Sequence, residues 1–193
     1  KKGLDESCLE NAFRTEPNRI IIRYADVLLI YAEAKIELNQ IDQSVLDAMN
    51  EVRARAYGVD KSATDQYPAF TATDQKTLRS QLRMERRMEF PKEGLRYMDL
   101  IRWKLMDKVM SKKVYMMLYP SSLLIEKVVN EGDWFWPFAP DIDENGLADF
   151  TKIEATGKIA VIAQKNWDDR QYLWPIPTTE IQINPNMKQN PGY

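Results

Sequence analysis

Histidine is absent from this 193-residue chain, and several kinds of catalytic site are excluded with it. Histidine is the usual general base at neutral pH, the common partner of serine and cysteine nucleophiles, and the commonest zinc ligand. Cysteine occurs once, as Cys8, so no disulfide can form within the chain. The 7 glycines are too scattered for a dinucleotide-binding G-x-G-x-x-G or a phosphate-binding G-x-x-x-x-G-K motif. No cofactor is therefore expected.

The chain also lacks an excess of positive charge. It has 27 Lys and Arg residues against 29 Asp and Glu residues, a net charge of −2. Nucleic-acid binding normally requires a basic excess, so no nucleic-acid partner is expected. With 44% hydrophobic and 29% charged residues, the composition is typical of a soluble globular protein. We expect one domain over residues 1–193, while two smaller domains stay possible at this length.

A hydrophobic leader is missing from the start of the chain, since the first ten residues contain three carboxylates. Either the protein stays inside the cell or its front is missing. The apolar run at residues 20–34 is interrupted by Arg23, Asp26 and Glu33. It is also shorter than the roughly 20 residues that cross a bilayer. We interpret this run as a buried helix that is covered on more than one side.

Helical spacing of apolar residues between positions 19 and 110 predicts an all-α fold with two helix pairs. Thr73 or Asp74 is suited to cap the third helix. The pairs are tetratricopeptide-like in kind, although the consensus Trp, Gly and Tyr positions of that repeat are missing. The predicted organisation is a connector at residues 1–18, a first helix at 19–38, a second that ends near Gly58, a third that ends near Phe90, and a fourth at 95–109.

The remainder of the chain is predicted to be mostly irregular. Residues 111–170 form a long elaboration with aromatics, prolines and acidic turns, and with one possible short helix at 121–129. Such a segment is more often a binding loop or an ordered excursion than filler. Residues 171–193 contain four prolines, so we expect a tail without regular helix that lies extended over the core.

Three motifs in this order resemble the C-terminal half of the SusD/RagB-like outer-membrane lipoproteins, the cell-surface nutrient-binding proteins of Bacteroidetes-type bacteria. The motifs are residues 22–34 followed by 52–56, residues 85–90 followed by 93–103, and residues 175–181 followed by 184–186 and 189–193. The pair Pro91 and Lys92 departs from the family pattern, and it predicts a sharper break between the third and fourth helices.

The resemblance implies a function as well as a fold. It implies capture of a glycan or oligopeptide at the cell surface, without catalysis, and a lid-like partnership with a SusC-like TonB-dependent outer-membrane transporter. It further implies attachment to the outer membrane through an N-terminal lipid anchor outside this chain. Cys8 is no substitute for the lipidated cysteine, because no apolar segment precedes it. A cytoplasmic helical-repeat adaptor that binds a partner peptide is an alternative.

Charged residues are densest around the second motif, where a catalytic and a structural interpretation compete. Glu85 and Glu89 continue a helical face begun by Leu78 and Leu82, so both carboxylates are expected to point inward and to meet arginines of a facing helix. A glycoside hydrolase would instead use the carboxylates from Glu85 to Asp99, one of which must stay protonated. Because neighbouring guanidiniums lower the pKa of a carboxyl group, the residues favour a structural ion-pair network.

Aromatic residues in the loop at 132–138 are the candidates for ligand binding. Trp134 and Trp136 offer the flat faces on which sugars stack. The alternative is that these rings pack the elaboration onto the helices. Trp103, Trp167 and Trp174 are expected in the core, because they lie inside helix or tail motifs.

A calcium-loop pattern begins at Asp141 and continues with Asp143, Asn145 and Gly146. Position twelve of that loop should be Glu, but Lys152 stands there. Asp, Asn and Gly are also the ordinary residues of turns. We therefore favour a polar turn, and the question of calcium stays open.

Overall fold

The computed structural model describes residues 20–133 and 136–193, so the predicted connector at 1–18 lies outside the described residues. Three helices form the main core, and five shorter helices and four strands follow or flank them in this range. The helices are α1 (Tyr24–Glu37), α2 (Gln43–Tyr57), α3 (Gln75–Glu89), α4 (Leu95–Arg102), α5 (Met106–Met110), α6 (Ser121–Leu124), α7 (Thr151–Ala155) and α8 (Thr178–Ile183). The strands are β1 (Lys113–Met117), β2 (Asp141–Ile142), β3 (Ala148–Asp149) and β4 (Ile159–Gln164).

The main core lies between α1, α2 and α3. Leu29 of α1, Met49 of α2 and Leu78 of α3 are each 0% exposed. Side chains at three- and four-residue spacing on each helix face this core, as the apolar periodicity predicts. The outer face of α1 behaves differently, because Val27 and Ile30 remain about half exposed. As predicted, α1 is covered on the sides that face α2 and α3. Its outer face is not covered.

Local signals set the ends of these helices. Asp42 caps α2 by accepting from the Ser44 amide. Asp74, one of the two residues predicted to cap α3, accepts from the Thr77 amide. Gly58 ends α2 in the left-handed conformation at φ 73°. The first helix begins at Tyr24 and not at residue 19, since Arg23 is extended. Its guanidinium binds carboxylates near the end of α3 instead.

The predicted fourth helix is divided in two. Lys104 adopts a left-handed φ of 54° between α4 and α5. The Leu105 amide donates to the Leu100 carbonyl at 2.9 Å and the Lys104 amide to the Ile101 carbonyl at 3.1 Å, which is the Schellman pattern of a helix end. This turn directs Leu105 and Met106 into a second buried cluster together with Leu100 and Leu147.

The prediction of a mostly helical fold is confirmed, but the all-α class fails in the elaboration, which was predicted to be irregular and contains short strands. β1 pairs antiparallel with β4, and β2 pairs antiparallel with β3. The strands are short and do not alternate between buried and exposed residues, so they lack the two-residue period by which a strand is recognised. The predicted short helix at residues 121–129 is present, as α6 followed by one turn of π-helix at Ile125–Val129. The tetratricopeptide-like character of the helix pairs and the single domain remain predictions.

The C-terminal tail also differs from its prediction, because α8 is a regular helical segment within it. Pro177 precedes its first turn and Pro185 follows its end, so neither ring interrupts a helical hydrogen bond. Trp174 is 76% exposed, and its predicted place in the core is wrong. Trp103 and Trp167 are partly buried against the second cluster. None of the helices described is both long enough and apolar enough to span a membrane.

Candidate functional site

The carboxylates around the second motif are occupied by arginines. Glu85 accepts from Arg53 of α2 at 2.5 and 3.0 Å. Glu89 is bound by Arg55, also from α2, and by Arg23 before α1. The side chains of Glu85 and Glu89 are 7% and 6% exposed. The inward direction of both side chains, and their pairing with arginines of a facing helix, are therefore confirmed.

Arg86 is the centre of a second group of ion pairs. Its side chain is 3% exposed, and it donates to both Asp99 oxygens at 2.9 and 3.1 Å. A third nitrogen donates to Asp26 at 2.8 Å. One guanidinium of α3 thus joins α1 to α4. Asp99 also accepts from Arg102, whose guanidinium continues to Glu33 of α1.

This arrangement does not fit the paired carboxylates of a glycoside hydrolase. One carboxyl of such a pair must hold a proton in an apolar or anionic setting. Glu85, Glu89 and Asp99 each accept hydrogen bonds from one or two guanidiniums instead. The charged cluster is an ion-pair network that fixes the helices relative to one another.

A cleft of about 700 Å³ lies beside this network, between the helices and the elaboration. Arg87 of α3 and Arg96 of α4 line its helical side. Tyr115 of β1, Phe150 and Trp136 of the elaboration also line it. The volume is within the roughly 300–1,000 Å³ of small-molecule sites. Of the two ligand-binding residues predicted from the sequence, Trp136 lies in the wall of this cleft. Trp134 lies outside the described residues.

Three aromatic rings form a continuous wall in the cleft. The Phe150 ring centroid is 5.5 Å from that of Tyr115 and 5.4 Å from that of Trp136, with tilted planes. Trp136 thus contacts a ring of the elaboration itself. The Tyr115 hydroxyl donates to Glu154 at 2.9 Å. Burial, together with this carboxylate, raises the pKa of the Tyr115 hydroxyl.

The calcium-like pattern forms a turn that attaches the elaboration to α3. Asp143 accepts from the amides of Asn145 and Leu147 at 2.8 and 2.9 Å, and the Asn145 side-chain oxygen accepts from Arg83 at 2.9 Å. Asp141 pairs with Lys152 at 2.6 Å. The predicted polar turn is confirmed, because the Asp143 carboxylate accepts hydrogen bonds from amides of the turn between β2 and β3. Within residues 20–133 and 136–193, no group of three or more carboxylates or cysteines is arranged to hold a metal.

Sequence reasoning missed most of the cleft wall. Arg87 and Arg96 lie in the second motif, whose charged residues the sequence assigns to a structural ion-pair network. Tyr115 and Phe150 carry no motif, and only the pairing of β1 with β4 and the hairpin brings them near Trp136. The aromatic richness of residues 111–170 was the available signal, but it does not specify which rings meet.

Comparison with known proteins identifies relatives for almost the whole chain. The family model described as "SusD family" matches residues 9–193. A SusD-like protein P25 from Formosa agariphila is 34% identical over 110 residues, which are 57% of this chain and 20% of that protein. A solved SusD-like protein from Bacteroides fragilis is 28% identical with a TM-score of 0.60, over 91% of this chain and 26% of its own.

A second solved structure from Bacteroides fragilis is described as a SusD-like carbohydrate-binding protein. It is 33% identical with a TM-score of 0.59, and the match covers 87% of this chain and 28% of that chain. The chain thus spans between a fifth and about a quarter of the length of these relatives. With a family model that matches residues 9–193 and a shared fold, the chain belongs to the SusD family.

Proposed function

We propose that the protein binds glycans for nutrient uptake and releases them chemically unchanged. The exposed ring of Trp136 in the wall of the cleft is the observation that carries this proposal. Sugar-binding sites combine a flat aromatic face with polar groups that accept or donate hydrogen bonds to hydroxyls. Family membership supports it, since one relative is described as carbohydrate-binding. Trp134 is proposed as a second ligand-binding residue, and an oligopeptide is the alternative ligand.

The absence of catalysis is part of the proposal. The chain has no histidine, and the carboxylates of the second motif are engaged with arginines. Incubation of the full-length protein with the bound oligosaccharide should return that oligosaccharide intact by chromatography. If the protein cleaves the oligosaccharide, and if the folded Asp99→Asn variant no longer does so, the protein is a hydrolase instead.

The location of the protein and its partner are proposed from the family resemblance of the three motifs. We place the protein at the outer surface of the outer membrane, held by a lipid anchor outside this chain. A SusC-like TonB-dependent transporter would receive the glycan. The ion-paired helices supply a rigid body of the kind that a lid over such a transporter requires.

Calorimetric titration of the full-length protein with a glycan series tests the binding site. Trp136→Ala should weaken glycan binding by about tenfold, the effect of losing about 1.4 kcal/mol of stacking and burial. Trp136→Phe should retain most of the affinity, because it keeps a ring beside Phe150.

Trp174→Ala is the matched control, since Trp174 is 76% exposed and does not line the cleft. Its affinity should equal that of the unaltered protein, and melting temperatures should show that every variant is folded. Equal affinities for Trp136→Ala and the unaltered protein would remove this cleft from the proposal.

A further inference from the structure

The cleft has more positive than negative charge on its walls, although the whole chain has a net charge of −2. Seven charged residues line it. The cations are Arg87, Arg96, Lys112, Lys113 and Lys165, and the anions are Asp149 and Glu154. Low-dielectric walls concentrate the field of such a group, so the cleft favours a negatively charged ligand.

The two carboxylates of the cleft do not neutralise its arginines. Glu154 is paired with Lys113 at 2.6 Å. Asp149 accepts from the amide and hydroxyl of Thr151 at 2.9 and 2.6 Å, and these hydrogen bonds lower its pKa. In the described part of the chain, Arg87 and Arg96 form no ion pair with a carboxylate within 4.0 Å. Their charge is therefore available to a ligand.

Of the two arginines that line the cleft, Arg96 is the more buried. Its Nη1 atom is buried and has no hydrogen-bond partner among the described residues. Burial lowers the pKa of Arg96 to about 10, and the neighbouring cation Arg87 acts in the same direction. A guanidinium without a carboxylate partner gains most from an anion that accepts two hydrogen bonds.

Resting on the proposed function, we infer that the cleft binds acidic glycans, with a carboxylate or sulfate of the sugar held by Arg96 and Arg87. The sugar ring would lie against the wall of Trp136 and Phe150. A planar carboxylate and a tetrahedral sulfate each present a pair of oxygens that a guanidinium can bind with two hydrogen bonds. An acidic peptide would satisfy the arginines, but a three-ring wall is better matched to the flat faces of sugars.

Calorimetric titration of the full-length protein with three kinds of oligosaccharide tests this inference. The probes are tetragalacturonate, its fully methyl-esterified form, and a sulfated galactan tetrasaccharide. At least one anionic probe should bind about tenfold more tightly than the neutral ester, as expected for one charge-assisted pair of hydrogen bonds. The preference should decrease with added salt. The two anionic probes distinguish carboxylate from sulfate recognition.

Substitutions then assign the preference to the arginines. Arg96→Gln and Arg87→Gln should each remove most of the anionic preference, whereas Arg96→Lys should retain part of it. Lys188→Gln is the control, because it removes an exposed cation outside the cleft. Arg87 is itself exposed, so its variant tests the inference even if Arg96→Gln is unfolded.

Each remaining outcome overturns either this inference or both proposals. Equal affinity for charged and neutral probes, or unchanged preference in both arginine variants, would overturn the acidic-glycan inference and leave glycan binding at Trp136 intact. Tight binding of an acidic peptide that displaces every sugar from the cleft would overturn the glycan as the occupant. If none of the three probes and no member of the neutral glycan series binds to the protein, the proposed function is overturned as well.

Discussion

At the residue scale, Arg86 illustrates how a buried charge is tolerated in this fold. Five donors are available to a guanidinium, and Arg86 directs three nitrogens to the carboxylates of Asp26 and Asp99. Each of the three side chains is at most 10% exposed. Because all three charges are desolvated together, each depends on the others for compensation.

Arg86→Met should therefore lower the free energy of unfolding by about 3–5 kcal/mol, since it leaves the buried carboxylate of Asp26 unpaired and that of Asp99 with Arg102 alone. Denaturant unfolding followed by circular dichroism measures this loss. Arg79→Met is the matched control, because Arg79 binds Glu37 at an exposed site on the same helix. It should cost at most about 1 kcal/mol. Equal losses in the two variants would contradict the central role of Arg86.

The sequence predicts part of this residue-scale picture. The four-residue spacing of Glu85 and Glu89 after Leu78 and Leu82 is local, and it correctly directs both carboxylates inward. The identity of each arginine partner depends on how α2 and α4 lie against α3, which no local spacing determines. Trp174 shows the same limit, because its exposure depends on the position of the tail.

At the element scale, the turn at residues 143–146 attaches the elaboration to the backbone of α3. A Cβ atom on Gly146 would lie 3.2 Å from the Met84 amide nitrogen and the Ser80 carbonyl oxygen. Gly146 also has a left-handed φ of 71°. The turn thus requires glycine both for its conformation and for its close contact with the helix.

Gly146→Ala should destabilise the protein by about 2–4 kcal/mol, the sum of left-handed strain and displacement from α3. Gly157→Ala is a close control, because Gly157 has φ 70° and nothing within 4 Å of its Cβ position. Gly157→Ala should lower the free energy of unfolding only by the left-handed strain, about 1–2 kcal/mol. Thermal unfolding of both variants measures the difference, and identical losses would show that the contact with α3 contributes nothing.

Elements with local signals could be predicted, and elements with distant partners could not. Asp74 and Gly58 mark helix ends through hydrogen bonds to residues a few positions away. The strands β1 and β4 gain their stability from each other across α6, the hairpin and α7. The aromatic wall of the cleft depends on those same distant pairings, and for that reason only Trp136 was foreseen.

At the scale of the whole molecule, solvent-exposed carboxylates paired with cations contribute to how stability depends on pH. The hydrogen bond from Arg79 lowers the pKa of Glu37, and that from Arg23 lowers the pKa of Glu93. Lys35 and Ser44 lower the pKa of Asp42 to about 2. Each folded-state pKa lies below its unfolded value, so the stabilisation is complete above the unfolded pKa and is lost as the pH falls through the folded pKa.

The free energy of unfolding should therefore be nearly constant around neutral pH and should decrease below about pH 4.5, the ordinary value of Glu. Glu37→Gln should reduce the steepness of this decrease, because it removes one of the groups that must be protonated. Urea unfolding from pH 7 to pH 3 provides the measurement. Stability that is unchanged or higher at pH 3 would contradict the assignment.

The contact between the 143–146 turn and α3 has a consequence for how this cleft can diversify. The turn lies close to main-chain atoms of Ser80 and Met84 and binds the side chain of Arg83, and none of these three residues lines the cleft. Substitutions at Trp136, Phe150 or Arg87 can then change what is recognised while the width of the opening is kept. Under the proposed function, selection for a different glycan can act on this cleft one position at a time.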